Sequence, residues 1–380
     1  MYHYIKYYIT PAVTLSILAG ILLGGHWMWL GFGVLCVVVI GGDALLGEDS
    51  STPKYTYPQL IELPLHLALP IITILLVSTA WASGTGSQDF LGIGNFLGSL
   101  ISYNFIAARN GSIWSDYLGA VISVGFIVAG YGTNVGHELT HRIKDRIAML
   151  EGRWLLSASC NADFAIEHVY GHHVTVGTDD DPATALKGEN VYKFFVKSTV
   201  LGHISAWRHE LKRLSKKGDS AFLFRNRMLT GYFMSLLWCG LFYFAGGLFG
   251  LLLFFGQALF AKFILEIVNY MEHYGLKRLP AVPVGFEHSW NTNKRMSGMV
   301  LFSLTRHSAH HEKPKVKFWK LDPHTRAPQM PYGYLTTLFI CLIPPLWYRI
   351  ITPSLNEWEK QYTPTKQPGI IVENIPSFKI

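Results

Sequence analysis

His137-Glu138-Leu139-Thr140-His141 follows shortly after an apolar run, Leu118 to Asn134, that is long enough to form most of a membrane span. Residues four apart share one face of a helix, so the two histidines are expected to point the same way. Paired imidazoles at the end of an apolar helix are typical metal ligands. The stretch therefore predicts a metal site at one end of a membrane-embedded helix bundle.

Nine of the chain's 16 histidines lie in short stretches of this kind. The nine, in three clusters and one separate position, are His137, His141, His168, His172, His173, His273, His307, His310 and His311. Helical spacing predicts that His168 shares a face with His172, and that His307 shares one with both His310 and His311. Nine imidazoles exceed the needs of one ion, so we expect two metals. Neutral imidazole suits iron, zinc, copper and nickel.

Composition points to a membrane protein. Half of the 380 residues are hydrophobic and only 15% are charged, whereas soluble domains carry about 25% charged residues. The net charge of +7 fits an excess of Lys and Arg on the cytoplasmic side of a membrane, so we expect no nucleic-acid partner. The four cysteines are scattered, which disfavours disulfides or a cysteine metal site.

Hydropathy predicts six membrane spans, separated by polar loops. The spans are Ile9 to Leu23, Trp27 to Leu46, Leu63 to Ala82, Leu118 to Asn134, Met228 to Phe244 and Leu248 to Val268. The last two are expected to turn at Gly246-Gly247. Lys262 and Glu266, one helical turn apart in the last span, are expected to pair or to face the bundle interior, since a charge facing lipid is costly.

The charge distribution decides how the ambiguous apolar stretch Phe90 to Ala108 is placed. If it crossed the membrane, the basic residues between Arg142 and Lys217 would lie outside, against the positive-inside tendency. We therefore place it on the outer surface or as a re-entrant segment. Of the 32 Lys and Arg, only Arg109 then lies outside and Lys262 within a span.

The predicted fold is an all-α integral membrane protein with six transmembrane helices and a cytoplasmic helical cap that holds the histidines. Residues 1–137 contain the first four spans, with the outer or re-entrant segment near 84–116. Residues 138–227 form a cytoplasmic histidine-bearing region, 228–270 the last two spans, and 271–380 a cytoplasmic C-terminal region with the third cluster.

Four carboxylates near the clusters are expected to support the ligands. Metal-bound histidines usually donate their second ring N–H to a carboxylate or carbonyl. The four are Glu138, Glu167, Asp181 and Glu272.

The spacing and the flanks of the clusters resemble the bacterial membrane-bound alkane hydroxylase and xylene monooxygenase family, within the desaturase-like superfamily. The similar segments are Gly136 to Arg142, Glu167 to His173, Asp181 to Thr184 with Gly188-Glu189, Asn269 to Leu276, Leu304 to His311, Ala327 to Pro331 and Ile343 to Trp347. They cover roughly 118–350, and the stretch 84–116 is longer than the outer loop usual in the family.

The resemblance implies a non-haem di-iron site, with all nine histidines as ligands, that uses O2 to hydroxylate a terminal methyl group. It also implies a location in the bacterial inner membrane with the active site on the cytoplasmic side. Electrons would come from NAD(P)H through a reductase and a rubredoxin or ferredoxin-type protein. The substrate would partition from the lipid, and we expect Phe126, Tyr131, Phe263 and Ile264 to line its slot.

Two branches of the family stay open as substrate classes. The contexts of Asp181 and Glu272 favour a linear alkane, which is the leading prediction. The segment Glu357 to Tyr362 is closer to the branch that hydroxylates alkyl-aromatics such as xylene or cymene. A fatty-acyl desaturase on the same scaffold is a weaker alternative, because the Asn269 to Leu276 motif argues against it. A membrane zinc protease using His137, Glu138 and His141 is also weaker, because such a protease needs only about three protein ligands.

Overall fold

The computed structural model describes residues 2–221 and 225–362. Residues 222–224 and 363–380, which belong to the two predicted cytoplasmic regions, lie outside the described residues. The helices, numbered along the chain, are α1 (His3–Leu23), α2 (Gly25–Leu46), α3 (Gln59–Ala82), α4 (Phe90–Leu100), α5 (Phe105–Asn110), α6 (Trp114–Thr140), α7 (Arg146–Ser157), α8 (164–175), α9 (Val191–Ser215), α10 (Arg227–His273), α11 (Arg295–Val300), α12 (His307–Glu312), α13 (Tyr334–Cys341) and α14 (Pro344–Tyr362).

Five of the described helices, α1, α2, α3, α6 and α10, are long and apolar enough to cross a membrane. The first begins at His3 rather than at the predicted Ile9. Its polar first turns are held inside the protein, because Lys6 lies 3.7 Å from the carboxylate of Asp49 and the Tyr7 ring packs edge-on against Phe318. The first helix is therefore longer than the span that hydropathy alone predicts.

Helix α10 is a hairpin of two arms and not one straight rod. The backbone leaves the helical region at Gly247, where φ is +59° and ψ is −140°. Glycine adopts a positive φ at little cost because it has no Cβ. A Cβ at Gly250 would overlap the carbonyl oxygen of Phe242 and lie 3.0 Å from Oγ of Ser83. The small residues at the turn thus let the arms close against each other and against the end of α3.

The stretch 84–116 forms two short helices, α4 and α5, which lie across one end of the bundle. Arg109 is buried and its guanidinium donates hydrogen bonds to the carbonyl oxygens of Gly86 and Gln88, at 2.9 Å and 2.8 Å. The hydroxyl of Tyr103 donates to the carbonyl of Leu23 at the end of α1. The segment is therefore tied to the same end of the bundle as the α10 turn.

The histidine clusters gather at the opposite end. His137 lies in the last turn of α6 and His273 ends α10. Helices α8 and α12 carry the other two clusters into the space beside these helix ends. Helix α9 packs along α10, and α13 packs against it from another side. The fold thus uses two apolar helices to fix the first cluster and His273, and the short helices α8 and α12 bring the other two clusters to them.

The close approach at the α10 turn predicts the effect of adding a side chain there. Gly250→Val should lower the free energy of unfolding by about 1–3 kcal/mol, because the added methyl groups overpack the contact with Phe242 and Ser83. Thermal unfolding of the purified protein in detergent measures this. Gly240→Val is the matched control, since the nearest atom to a Cβ there is a ring carbon of Phe244 at 4.0 Å. Equal melting temperatures for the two variants would contradict the expected overpacking.

Candidate metal centre

The nine predicted histidines come together in two groups, in which seven side chains are buried and those of His141 and His173 are half-buried. In each group the potential ligand atoms all lie within 4.8 Å of one another. The first group, which we name site A, contains His137, His141, His168, His173 and His310. The second, site B, contains His172, His273, His307 and His311. The three clusters of the sequence are thus divided between two sites.

In both sites the rings meet through their Nε2 atoms. In site A the Nε2 of His137 lies 2.9 Å from that of His310 and 3.1 Å from that of His141. In site B the Nε2 of His307 lies 2.9 Å from that of His311 and 3.1 Å from that of His273. The nitrogens of each site therefore converge on one point.

These distances fit a shared cation. Two nitrogens that bind one ion at right angles, each about 2.1 Å away, are separated by about 3 Å. A tetrahedral arrangement at the same bond length separates them by about 3.4 Å, which is longer than most of the separations here. The separations are therefore compatible with one cation shared by the nitrogens of each site.

Local helix geometry decides which histidines share a site. The turn from His168 to His172 is a π-helix, which contains one extra residue per turn. His168 therefore meets His173, at 3.0 Å between their Nε2 atoms, while His172 turns towards site B. His168 and His172, which i,i+4 spacing predicted to share one helix face, therefore belong to different sites.

Spacing predicted that His307 shares a helix face with both His310 and His311, and in the structure it shares a site with His311 alone. His307 and His311 belong to site B, whereas His310 points to site A and lies 3.0 Å from His173 between the Nε2 atoms. The doublet at the end of α12 thus bridges the two sites.

Burial keeps these rings neutral, as metal ligation requires. It lowers the pKa of His141 to about 3, with a smaller contribution from the neighbouring His172. Burial also lowers the pKa of His310 well below its ordinary value. His172 differs: burial would lower its pKa, but the charge and hydrogen bond of Asp181 outweigh burial and raise it. The lone pairs of most rings are therefore available at neutral pH.

Two of the four predicted supporting carboxylates contact site B. Oδ2 of Asp181 lies 2.9 Å from Nδ1 of His172 and accepts a hydrogen bond from the hydroxyl of Thr184. Oε2 of Glu272 lies 3.3 Å from Nε2 of His307, on the side of the ring that faces the site. Glu272 also accepts a hydrogen bond from the hydroxyl of Tyr334 at 2.7 Å. Glu272 therefore stands among the ligand nitrogens and not behind them.

The other two carboxylates point elsewhere. Glu138 accepts a hydrogen bond from Arg142 at 3.2 Å, one turn along the helix. Glu167 is buried beside His168, but its Oε1 has no hydrogen-bond partner among the described residues. Neither is shown in contact with a histidine of the two sites.

An apolar cavity opens onto both sites. It is bounded by α2, α6, α10, α13 and the segment before α12. Its apolar and small lining residues are Leu35, Val39, Phe126, Ala129, Gly130, Phe164, Ile264, Leu265, Val268, Val300, Leu301, Leu304, Leu335 and Leu338. Its polar lining residues are Thr133, Asn134, His137, His168, Asn269, Glu272, His307 and Tyr334. The cavity therefore presents a hydrophobic wall at the membrane end and both histidine sites at the other.

Of the four residues expected to line the substrate slot, two lie in the cavity wall and two do not. Phe126 and Ile264 line the cavity. Tyr131 and Phe263 do not: Tyr131 donates its hydroxyl to the carbonyl of Pro64, and Phe263 packs against α9. The sequence reasoning also missed Tyr334, because the residue lies far along the chain and no motif marks it.

Comparisons with known proteins agree with this geometry. Residues 112–340 match the family model described as fatty acid desaturase. Alkane 1-monooxygenase 1 of Pseudomonas aeruginosa is 35% identical over 336 residues, which are 86% of this chain and 82% of that protein. Alkane 1-monooxygenase 2 of the same organism is 33% identical, covering 90% and 88%. The xylene/toluene monooxygenase hydroxylase component of Pseudomonas putida is 30% identical, covering 94% and 90%.

Removing His273 tests whether the histidine outside the three clusters is a ligand. We predict that His273→Ala loses about half of the bound metal, because site B loses one of four donors while site A keeps all of its own. Elemental analysis of the purified protein measures the loss. His66→Ala is the control, since His66 pairs with Glu151 away from both sites. Full metal content in the His273 variant would remove it from the ligand set.

The contact between Asp181 and His172 can be tested without changing the histidine itself. Asp181→Asn should weaken metal binding by about 10- to 100-fold, because the charge that orients and polarises His172 is lost. Metal titration against a competing chelator measures the affinity. Asp180→Asn changes the exposed neighbouring carboxylate and should bind metal as the wild type does. The prediction fails if the two variants have the same affinity.

Proposed function

The chain belongs to the alkane monooxygenase family, and from this premise we propose that it hydroxylates the terminal methyl group of an n-alkane to give a 1-alkanol. The enzyme class follows directly from its relatives: the chain is a multi-pass membrane monooxygenase. The substrate proposal is supported by the relatives' activity on alkanes together with the shape of the apolar cavity.

One observation carries the substrate proposal: a single apolar cavity is lined by histidines of both sites. His137 and His168 of site A and His307 of site B all face it. A linear hydrocarbon has no polar group to direct it, so only the shape and apolarity of the wall can orient it. A hydrocarbon held in this cavity would lie against histidines of both sites.

We propose that each site holds one iron, with O2 as co-substrate. When bound, the two irons would supply the activation of O2 for insertion of one oxygen atom into a C–H bond. The nine histidines would hold them, and Glu272 and Tyr334 would contribute an acidic pair beside site B. The apolar wall excludes bulk water, which protects the reaction from side reactions.

We further propose that a rubredoxin or ferredoxin-type protein delivers the electrons, supplied by an NAD(P)H-dependent reductase. Redox partners are required because the reaction consumes two electrons and the sequence contains no nucleotide-binding fingerprint or cysteine cluster of its own. The basic surface expected on the cytoplasmic side would attract an acidic donor.

The proposed location is the bacterial inner membrane, with both histidine sites on the cytoplasmic side. We count α10 as two crossings because its helix breaks at Gly247, which makes six crossings among the described residues and leaves both ends of the described chain inside. The described parts of the two predicted cytoplasmic regions, 138–221 with 225–227 and 271–362, would then form the cytoplasmic cap. The scarcity of Lys and Arg at the end that holds 84–116 supports this orientation.

Hydroxylation of an alkyl-aromatic methyl group is the second candidate. The xylene/toluene monooxygenase component covers nearly the whole chain at 30% identity. The alkane proposal is preferred because several alkane 1-monooxygenases match at equal or higher identity.

A parallel product assay tests the proposal. Membranes containing the protein, a rubredoxin and its reductase are offered octane, hexadecane, xylene and cymene with NADH and O2. We expect 1-alkanols as the main products, because the cavity holds the hydrocarbon against histidines of both sites. Membranes containing His137→Ala serve as the control for background oxidation. Benzylic alcohols formed faster than alkanols would favour the second candidate. Products with new double bonds would contradict both hydroxylation proposals.

A further inference from the structure

A small polar cavity lies beside the apolar cavity and shares two wall residues with it, Phe164 and Asn269. The ionisable residues that line the polar cavity are Asp163, Glu167, His203, Lys262 and Glu266. Intramembrane ionisable groups that face the interior often mark proton or ion pathways. Of the residues in this wall, only Phe164 and Asn269 also face the apolar cavity.

The inner part of the polar cavity is an ion pair on α10. Nζ of Lys262 lies 2.6 Å from Oε1 of Glu266, one turn along the helix, which agrees with the pairing expected from the sequence. Lys262 also donates to the amide oxygen of Asn161 at 2.8 Å. The second carboxylate oxygen of Glu266 accepts hydrogen bonds from Ser198 and from the amide of Asn269, the latter at 3.2 Å. A continuous set of hydrogen bonds therefore runs from Lys262 to the wall of the apolar cavity.

The outer part of the cavity reaches the protein surface at His203. Its side chain is 42% exposed, and Nδ1 lies 2.8 Å from Oδ2 of Asp163. Its Nε2 lies 2.8 Å from the hydroxyl of Tyr232, which also accepts a hydrogen bond from the indole of Trp207. Tyrosine and tryptophan are typical of the membrane–water interface, where water can reach His203.

Glu167, which lines the polar cavity, carries an acceptor atom without a partner in the described part of the chain. The residue is 7% exposed, and its Oε1 lacks a hydrogen-bond partner within 2–221 and 225–362. A buried polar atom without a partner is costly. A water molecule in a cavity with several polar walls satisfies such an atom, and it would extend the hydrogen-bonded path.

We propose that His203, Asp163, Lys262 and Glu266, joined by water in the polar cavity, form a proton inlet from the protein surface to the apolar cavity, with Asn269 holding Glu266 at the shared wall. The inference rests on the proposed monooxygenase reaction, RH + O2 + 2 H⁺ + 2 e⁻ → ROH + H2O. One oxygen atom enters the C–H bond, and the other takes up both protons and leaves as water. Each turnover therefore needs two protons from outside.

The wall of the apolar cavity cannot supply these protons repeatedly. Besides the histidines, its ionisable residues among the described part of the chain are Glu272 and Tyr334, and these two are hydrogen-bonded to each other. The other walls are apolar or carry neutral amides and hydroxyls. Glu266, held by the amide of Asn269 at the wall that the two cavities share, connects this space to groups that exchange protons with solvent.

The charges around His203 favour its use as the first acceptor. The hydrogen bond from its ring to Asp163 raises the pKa of His203 above the ordinary value, and outweighs partial burial and the charge of Lys262, which lower it. His203 is faced by Asp163, Lys262 and Tyr232. The raised pKa keeps the ring protonated to a greater extent near neutral pH, and this protonation is lost as pH rises through it.

Two conservative variants test the inlet in the full-length enzyme, assayed in membranes with its donor proteins and its best substrate. His203→Gln and Glu266→Gln should lower kcat by about 10-fold or more, since positioned proton transfer is worth at least this much. The KM for substrate and the metal content should stay unchanged. The solvent deuterium isotope effect on kcat should rise, and imidazole added to the buffer should partly restore the His203 variant.

His26→Gln is the matched control. Nδ1 of His26 also lies 2.8 Å from an aspartate, Asp116, but at the end of the bundle away from both histidine sites. It should keep the wild-type kcat and isotope effect. A His203 variant with wild-type kcat, or with a lowered kcat but no change in isotope effect and no rescue, would overturn the inlet. If Glu266→Gln loses metal, the result for the His203 variant alone decides whether the proton inlet is upheld or overturned. Absence of product with the wild-type enzyme would instead reject the proposed function.

Discussion

The packing of nine imidazole rings against one another, seven of them buried, is the constraint that shapes the rest of the structure. Their Nε2 atoms approach to about 3 Å, and imidazolium ions at that spacing would repel one another strongly inside a protein. Burial removes this problem by keeping most rings neutral. It leaves several lone pairs that need a shared cation, which explains why helices from distant parts of the chain end at the same place.

The helix α10 separates an apolar space from a polar one. Ile264, Leu265 and Val268 line the apolar cavity, whereas Lys262 and Glu266 line the polar one. Asn269 belongs to both walls. A single helix can do this because residues one or two positions apart point in different directions. The same helix ends in His273, so it connects the substrate wall, the polar cavity and site B.

Much of the candidate site could be predicted from short-range spacing. The histidine clusters and the Lys262–Glu266 pair follow from patterns within a few residues, and Asp181, which contacts His172, was one of four carboxylates expected to support the ligands. The partners of His168 could not be predicted in this way, because a π-helical turn shifts the register by one residue. Tyr131 and Phe263 were misplaced because an apolar residue in a span has several possible neighbours.

The sequence by itself determined a helical membrane protein, the approximate position of its apolar helices and the set of histidines available to metals. These are local properties, since hydropathy and helical spacing act within one segment. Only the tertiary structure decided which imidazoles share a site, that Glu272 stands beside His307 and Tyr334, and where the apolar and polar cavities lie. Those features depend on which faces of distant helices meet, and that is fixed by packing between segments far apart in the chain.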